Sequence, residues 1–112
     1  MKHIATFTIA ILMLFALSGT VLAAGGDAQA GKAVFNTKCK TCHGADGKGN
    51  AAIAKVMKVE LPDMTSQEFQ SRTDDELKKQ ITEGGGKMKP VTGLTDQQIT
   101  DVIAFVRSFA KP

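Results

Sequence analysis

The chain has 112 residues, of which 43% are hydrophobic, 14 are basic and 11 are acidic, giving a formal net charge of +3. These values are typical of one small globular domain, and they exclude a disordered tail and a polytopic membrane protein. The basic surplus is too small to indicate a nucleic-acid-binding protein, and two cysteines are too few for the disulfide framework of a small secreted domain.

Residues 1–23 are predicted to form a secretory signal peptide. A basic start precedes the apolar run 4–17, which is too short to span a bilayer comfortably and is followed by small residues. Ala23 fits the last position before a cleavage site, and cleavage after Ala24 is the alternative. This pattern predicts export through the Sec pathway to the periplasm. It leaves a mature domain of residues 24–112 with no stable membrane insertion, whereas an uncleaved membrane anchor is the competing interpretation.

The rest of the chain carries several helix signals and no sustained period-2 alternation. Asp27 is a suitable N-cap, and Thr73 and Thr95 each begin a capping box with Glu or Gln three positions later. The predicted helical segments are residues 28–40, 51–59, one turn within 65–70, 74–83 and a last helix from 96. The last helix is predicted to bury a stripe made of Ile99, Val102, Ile103 and Val106. We therefore predict an all-α domain with four or five short helices joined by Gly-rich loops.

Cys39, Cys42 and His43 form a C-x-x-C-H run, which is the attachment signature of haem c. Two thiols three positions apart on a helical turn can add to the two vinyl groups at one porphyrin edge. The next residue then projects its imidazole toward the iron. Covalent attachment also places a large apolar group inside a small domain, whose own side chains bury little apolar surface. We predict one covalently attached haem c, with thioether links to Cys39 and Cys42 and with His43 as an axial ligand of the iron.

Three other interpretations of the same motif compete with haem attachment. A structural zinc site needs four ligands, and this motif supplies three unless a carboxylate joins it. A thioredoxin-type redox pair is found in a βαβ setting, which the helical pattern does not provide. A plain disulfide between Cys39 and Cys42 is compatible with an exported protein.

The second axial ligand is expected to be a methionine, because His43 is the one histidine left after signal cleavage. A Met thioether paired with His raises the haem potential and suits electron transfer. Met57 lies on a short amphipathic helix, where methionine is most often core filler. Met64 follows a Leu-Pro-Asp break, and Met88 lies in a Gly-rich loop whose flexibility lets the chain pass close over a porphyrin face. We favour Met88, and Met64 or an open coordination position remain the alternatives.

Several segments of the mature chain form a pattern shared with a known family. They are Gly31-Lys32-Ala33-Val34-Phe35, Cys39-Lys40-Thr41-Cys42-His43-Gly44, Asp46-Gly47-Lys48-Gly49, Gly86-Lys87-Met88 and Val102-Ile103-Ala104-Phe105-Val106-Arg107. From about Asp27 to Lys111 the chain thereby resembles the class I c-type cytochromes, in particular the small bacterial mono-haem members. The resemblance implies a small cytochrome c fold wrapped around one covalently bound haem, with its axial ligands at His43 and Met88.

The resemblance also implies how the first and last helices meet. Carried over from the family, Gly31 and Phe35 would pack against Val102 and Phe105. Many members have a proline after the haem-ligating histidine, and its carbonyl accepts the hydrogen bond from Nδ1. This chain has Asn50-Ala51-Ala52-Ile53 in that stretch. Because it has no Trp or Tyr, a haem propionate would be held by Arg72, a lysine or backbone N–H groups.

The expected function is that of a soluble one-electron carrier between respiratory partners, cycling Fe(III)/Fe(II), and not that of an enzyme. Redox donor and acceptor proteins are expected to dock at a haem edge bordered by lysines. These lysines are Lys38, Lys40, Lys48, Lys87 and Lys89. The alternatives are a relay subunit of a larger oxidoreductase and, if the Met ligand is labile, a sensor that binds small ligands at the iron.

Overall fold

The computed structural model describes residues 25–112, so the predicted signal peptide lies outside the described residues. Within this part of the chain the secondary structure consists of six α-helices and one isolated antiparallel bridge. The helices are α1 (Ala28–Lys38), α2 (Lys40–His43), α3 (Ala51–Met57), α4 (Gln67–Gln70), α5 (Asp74–Glu83) and α6 (Asp96–Arg107). The all-α prediction is confirmed, with six helices where four or five were expected.

The extra helix arises because the first predicted helix, residues 28–40, is interrupted. It ends at Lys38, and Cys39 adopts φ −121° and ψ −34°, which is outside the helical range. The Cys39 N–H still donates to the Phe35 carbonyl at 2.9 Å, and a separate four-residue helix then starts at Lys40. The cysteine pair therefore lies at a helix junction rather than inside one continuous helix.

The capping signals in the sequence give the observed helix starts. The Thr73 N–H donates to a Glu76 carboxylate oxygen at 2.8 Å, while the Glu76 N–H donates back to the Thr73 hydroxyl. Thr95 and Gln98 form the same reciprocal pair at the start of α6. Both capping boxes satisfy N–H groups that have no partner inside the helix, so the predicted starts at residues 74 and 96 are confirmed.

The crossing of α1 and α6 is the largest helix–helix contact among the described helices. A Cβ atom on Gly31 would lie 1.9 Å from the Asp101 carbonyl oxygen, so only glycine allows the two backbones to approach this closely. Beside it, Phe35 is fully buried and its ring centroid lies 5.1 Å from that of Phe105. Val102 is 1% exposed. The packing expected for this crossing is confirmed.

The hydrophobic core extends from this crossing toward α4 and α5. Its buried members are Phe35, Met64, Phe69, Leu77, Ile99, Val102, Ile103 and Val106, which include the whole stripe predicted on α6. The Arg107 side chain donates to the Gln70 and Arg72 carbonyls and to the Asp74 carboxylate, and so fixes the end of α6 to the α4–α5 junction. None of the helices within residues 25–112 is both long and apolar enough to cross a bilayer.

Candidate functional site

A cavity of about 830 Å³ lies between the core and the loops that follow α3 and α5. A pocket of this size is large enough for a cofactor. Its wall includes Cys39, Cys42 and His43, which come from the α1–α2 junction and α2. The three methionines considered from the sequence also line it: Met57, Met64 and Met88. The fold thus brings all candidate thiol, imidazole and thioether groups to one cavity.

The turn that carries the C-x-x-C-H residues is held by the Gly-rich loop that follows it. The Gly49 N–H donates to the His43 carbonyl and the Asn50 N–H to the Cys42 carbonyl, both at 2.8 Å. The Asn50 carboxamide nitrogen donates to the Thr41 carbonyl at 3.2 Å. These bonds satisfy carbonyls that a four-residue helix leaves without partners. The loop can fold back in this way because Gly44, like Gly49, has a positive φ.

The two cysteines are free thiols, each partly buried. Burial, together with the nearby Cys42, raises the pKa of the Cys39 thiol to about 11. Within residues 25–112 there is no group of three His, Cys, Asp or Glu side chains arranged to hold a metal ion. The structure therefore offers a thiol pair facing a large cavity, and it shows neither the disulfide nor the closed ligand set of a structural zinc site.

His43 is placed on the cavity wall with its ring partly buried. Burial lowers the pKa of the imidazole, which favours the neutral form that binds metals. Its Nδ1 is buried and has no hydrogen-bond partner among the described residues. Asn50 cannot serve as that partner through its side chain, because its oxygen caps α3 and its nitrogen binds the Thr41 carbonyl. A neutral imidazole without local hydrogen bonds suits a residue that binds a group placed in the cavity.

Met88 lies at the end of a tight turn in the loop after α5. Its N–H and carbonyl exchange hydrogen bonds with Gly85 at 3.0 and 2.9 Å, and Gly86 has φ +57° at the turn. A Cβ atom on Gly84 would lie 2.5 Å from the Met88 carbonyl oxygen, so glycine is needed there as well. The Met88 sulfur accepts a hydrogen bond from the Gln80 carboxamide at 3.6 Å. Nothing in the sequence pattern indicates this contact of Gln80, because it joins a helix to a turn.

The other two methionines are placed differently. Met64 is 7% exposed and belongs to the hydrophobic core, and its backbone carbonyl accepts from the Gln70 side chain at 2.7 Å. Met57 was expected to be core filler, but no residue of α3 is buried and its side chain lies on the cavity wall instead. The reason is that α3 packs beside the cavity rather than on the core.

Basic side chains dominate the charged part of the cavity wall. Lys38, Lys87, Lys89 and Arg72 line it, and among the described residues Glu60 is the one acidic side chain in the lining. The predicted lysines Lys40 and Lys48 are exposed but do not line the cavity. The Arg72 guanidinium lies over the Phe69 ring, 5.7 Å from its centroid. These cations suit a ligand that carries carboxylates.

The residues present therefore fit a haem in the shape of the cavity and in the chemistry of its wall. The cavity has the size and apolar lining of a cofactor site. It presents two adjacent thiols, a neutral imidazole and thioether sulfurs, together with cations at its wall. This combination of donors is that of a covalently attached haem with His and Met ligation.

Comparisons with known proteins point to one family. The family model for cytochrome c matches residues 28–110. Cytochrome c6 of Rippkaea orientalis (strain PCC 8801 / RF-1) is 34% identical over 113 aligned residues, which cover 99% of this chain and 96% of that protein. Cytochrome c6 of Leptolyngbya boryana is 36% identical over 81 residues, covering 71% of this chain and 89% of that protein. The solved structure of the KustC0563 c-type cytochrome superposes with a TM-score of 0.63 at 28% identity, covering 72% of this chain and 98% of that chain.

Proposed function

The chain belongs to the cytochrome c family, so it is a mono-haem electron carrier, and we propose that it carries single electrons between respiratory proteins in the periplasm. The observation that supports this most directly is the meeting of Cys39, Cys42, His43 and Met88 at one cavity. The haem c of the family supplies an iron centre that accepts and releases one electron. The chain supplies the attachment, the axial ligands and the surroundings of that iron.

In this proposal Cys39 and Cys42 would hold the haem through two thioether bonds, and His43 and Met88 would bind its iron. The hydrogen bonds from the Gly49–Asn50 loop fix the backbone of the His43 turn before and after electron transfer. The Met88 turn is closed by its own backbone hydrogen bonds. Ligands held in fixed positions change geometry little between oxidation states, which keeps the barrier to electron exchange low.

The proposed pair of protein ligands also argues against enzymatic activity. With both His43 and Met88 bound, the iron would have no free position for a substrate. The lining of the cavity is mainly apolar, which would surround the bound group with few polar groups able to take part in catalysis. His43 is the one histidine among residues 25–112, so these residues lack a second imidazole for acid–base catalysis on the opposite face.

The partner-binding surface in this proposal is formed by the exposed lysines near the cavity. Lys38, Lys87 and Lys89 line the cavity, while Lys40 belongs to the same turn as the cysteines. An acidic patch on a redox partner would be attracted to them, and the association rate would then fall as salt is added. The predicted signal peptide supports the periplasmic location of this exchange.

Paired methionine variants test the ligand assignment. We expect Met88→Ala to abolish the weak long-wavelength absorption band of ferric haem with a Met sulfur ligand and to lower the reduction potential. Met64→Ala is the matched control, because it removes a cavity-lining thioether that packs in the core, and it should keep the band. Visible spectra and a redox titration of the matured proteins read out both effects.

Loss of the band in Met64→Ala alone would assign the iron ligand to Met64 instead. A wild-type protein without the band that binds carbon monoxide at once would contradict the carrier function. That result would favour a sensor.

A further inference from the structure

Two separate parts of the cavity wall are joined by one side-chain hydrogen bond. The Lys87 ammonium nitrogen donates to the backbone carbonyl of Met57 at 2.5 Å, linking residues 30 positions apart in the chain. Met57 is the last residue of α3, and Lys87 lies in the turn that ends at Met88. Both Met57 and Lys87 line the cavity. The bond therefore connects α3 to the residue immediately before the proposed iron ligand.

The last backbone carbonyls of α3 lack hydrogen-bond donors within the helix, and the Lys87 ammonium is a donor to one of them. The Met57 carbonyl belongs to the last turn of the helix, where carbonyls have no partner within the helix and carry the negative end of its dipole. The next residue, Lys58, has φ +54°, so the chain leaves the helix in the left-handed conformation. None of the seven residues of α3 is buried. An ammonium group placed on this carbonyl stabilises a helix that core packing does not hold.

The turn that ends at Met88 has few hydrogen bonds of its own, so contacts with other segments contribute to holding it in place. It is closed by two backbone hydrogen bonds between Gly85 and Met88, and three consecutive glycines precede Lys87. Glycines increase the conformational freedom that must be lost when the turn is ordered. Gln80 contacts the Met88 sulfur from α5. Lys87 contacts α3, so the turn is held from both sides.

We propose that Lys87 is a positioning residue for Met88: by binding the Met57 carbonyl it fixes the Met88 turn against α3 and limits the displacement of Met88 from the iron. This inference rests on the proposed function, in which Met88 is an iron ligand. It also separates Lys87 from the other lysines of the proposed partner-binding surface, since its ammonium group is engaged within the protein.

Imidazole binding to the matured ferric protein measures how easily the Met88 ligand is displaced. We expect Lys87→Met to raise the apparent imidazole affinity about fivefold, the effect of losing a hydrogen bond from a charged donor at an exposed site. Lys32→Met removes the same charge from an exposed side chain on α1 that does not line the cavity, and it should leave the affinity unchanged. Lys87→Arg retains a cationic donor and should restore most of the wild-type value.

Amide hydrogen exchange of the same proteins reports on the bond independently of the iron ligand. Faster exchange in α3 and in residues 84–89 is expected for Lys87→Met and not for Lys32→Met. Equal imidazole affinities for these two variants would overturn the positioning role, and so would faster exchange without any change in affinity. A wild-type protein lacking the Met sulfur band would overturn the proposed function instead. In that case the exchange difference would still show whether Lys87 holds the turn.

Discussion

At the scale of single residues, the two proposed iron ligands differ in their hydrogen-bond partners. The Met88 sulfur accepts a hydrogen bond from Gln80, whereas the His43 Nδ1, whose N–H would donate if Nε2 bound the iron, has no acceptor among the described residues. The partners of axial ligands tune the electron density that the ligands give to the iron. The two sides of the site are therefore tuned differently, and the sulfur side is the one that a single substitution can change.

Gln80→Leu is expected to lower the reduction potential. If Met88 binds the iron as proposed, a hydrogen bond to its sulfur withdraws electron density and favours the reduced iron, and the leucine removes this donor. A change of about 0.5 kcal/mol, a modest value for one weak hydrogen bond, corresponds to about 20 mV for a one-electron couple. A redox titration measures the shift, and the exposed Gln67→Leu serves as control. An unchanged or higher potential in Gln80→Leu contradicts the role of this contact.

Asp63 is expected to make the stability of the folded protein decrease at acidic pH. Its carboxylate accepts hydrogen bonds from the Thr65 hydroxyl at 2.6 Å and from the Thr65 N–H at 2.8 Å. These bonds, the one to the side chain first, lower the pKa of Asp63 below its usual value. A lowered pKa in the folded state stabilises the protein above the usual carboxyl pKa of about 4. That contribution is lost as the pH falls through the lowered value.

We therefore expect Asp63→Ala to reduce the melting temperature at pH 7 and to differ less from wild type as the pH falls below about 4. Melting curves at several pH values measure this difference. Asp63→Asn keeps an acceptor oxygen but does not titrate, so it separates the hydrogen bonds from the charge. A gap between wild type and Asp63→Ala that stays constant with pH would show that ionisation of Asp63 does not contribute.

At the scale of helices, the α1–α6 crossing positions one wall of the cavity. Phe35 lines the cavity and packs between Phe105 and Phe109, whose ring centroids lie 5.1 and 5.5 Å from its own. Asp101 is 7% exposed and accepts hydrogen bonds from the Asp27 N–H and the Gln97 side chain. The start of α1 is thus attached to α6 by a buried carboxylate, in addition to the apolar packing.

Gly31→Ala should destabilise the protein by about 3 kcal/mol, because its Cβ atom would overlap the Asp101 carbonyl and force the two helices apart. Urea unfolding measures the change. Gly25→Ala is the matched control, since nothing lies within 4 Å of a Cβ atom at that position. Similar unfolding midpoints for the two variants would mean that the crossing tolerates a side chain at residue 31.

Local signals were sufficient to predict most of the helices. Thr73 with Glu76 and Thr95 with Gln98 are short-range patterns, and they gave the starts of α5 and α6 correctly. The break at Cys39 was missed because residues 32–40 contain neither Gly nor Pro. The helix ends there because the following loop binds the carbonyls of the next turn.

The candidate site was predictable only in part. The C-x-x-C-H residues are adjacent in sequence, and the structure places all three on the cavity wall. The sequence named three methionines, and all of them line the cavity, so the choice of Met88 stays a prediction. The roles of Gln80 and Lys87 depend on contacts between distant segments, which no local pattern shows.

At the scale of the whole molecule, the cavity is large relative to the core. Among residues 25–112, eight buried hydrophobic residues form that core, beside a cavity of about 830 Å³. Without a bound group the apolar wall of this cavity would face water, and a domain of this size buries little other apolar surface. A group that fills the cavity therefore adds a large share of the apolar burial that holds the fold.

The Cys39→Ser/Cys42→Ser variant, which cannot form thioethers, is therefore expected to lose most of its helical signal in far-ultraviolet circular dichroism. Wild-type chain produced without haem attachment should give the same spectrum, which controls for the serine substitutions themselves. Native-like helicity in both samples would show that the core is sufficient to hold the fold without its cofactor.

The meeting of α1 with α6 also has a consequence for the order of folding. The residues that face each other across it, such as Gly31 and Asp101, are separated by most of the domain, so the contact requires closure of a long loop. Among residues 25–112, the aromatic rings that pack on Phe35 are those of Phe105 and Phe109, which are added near the end of synthesis. A nascent chain therefore cannot complete this contact until its last helix has been made.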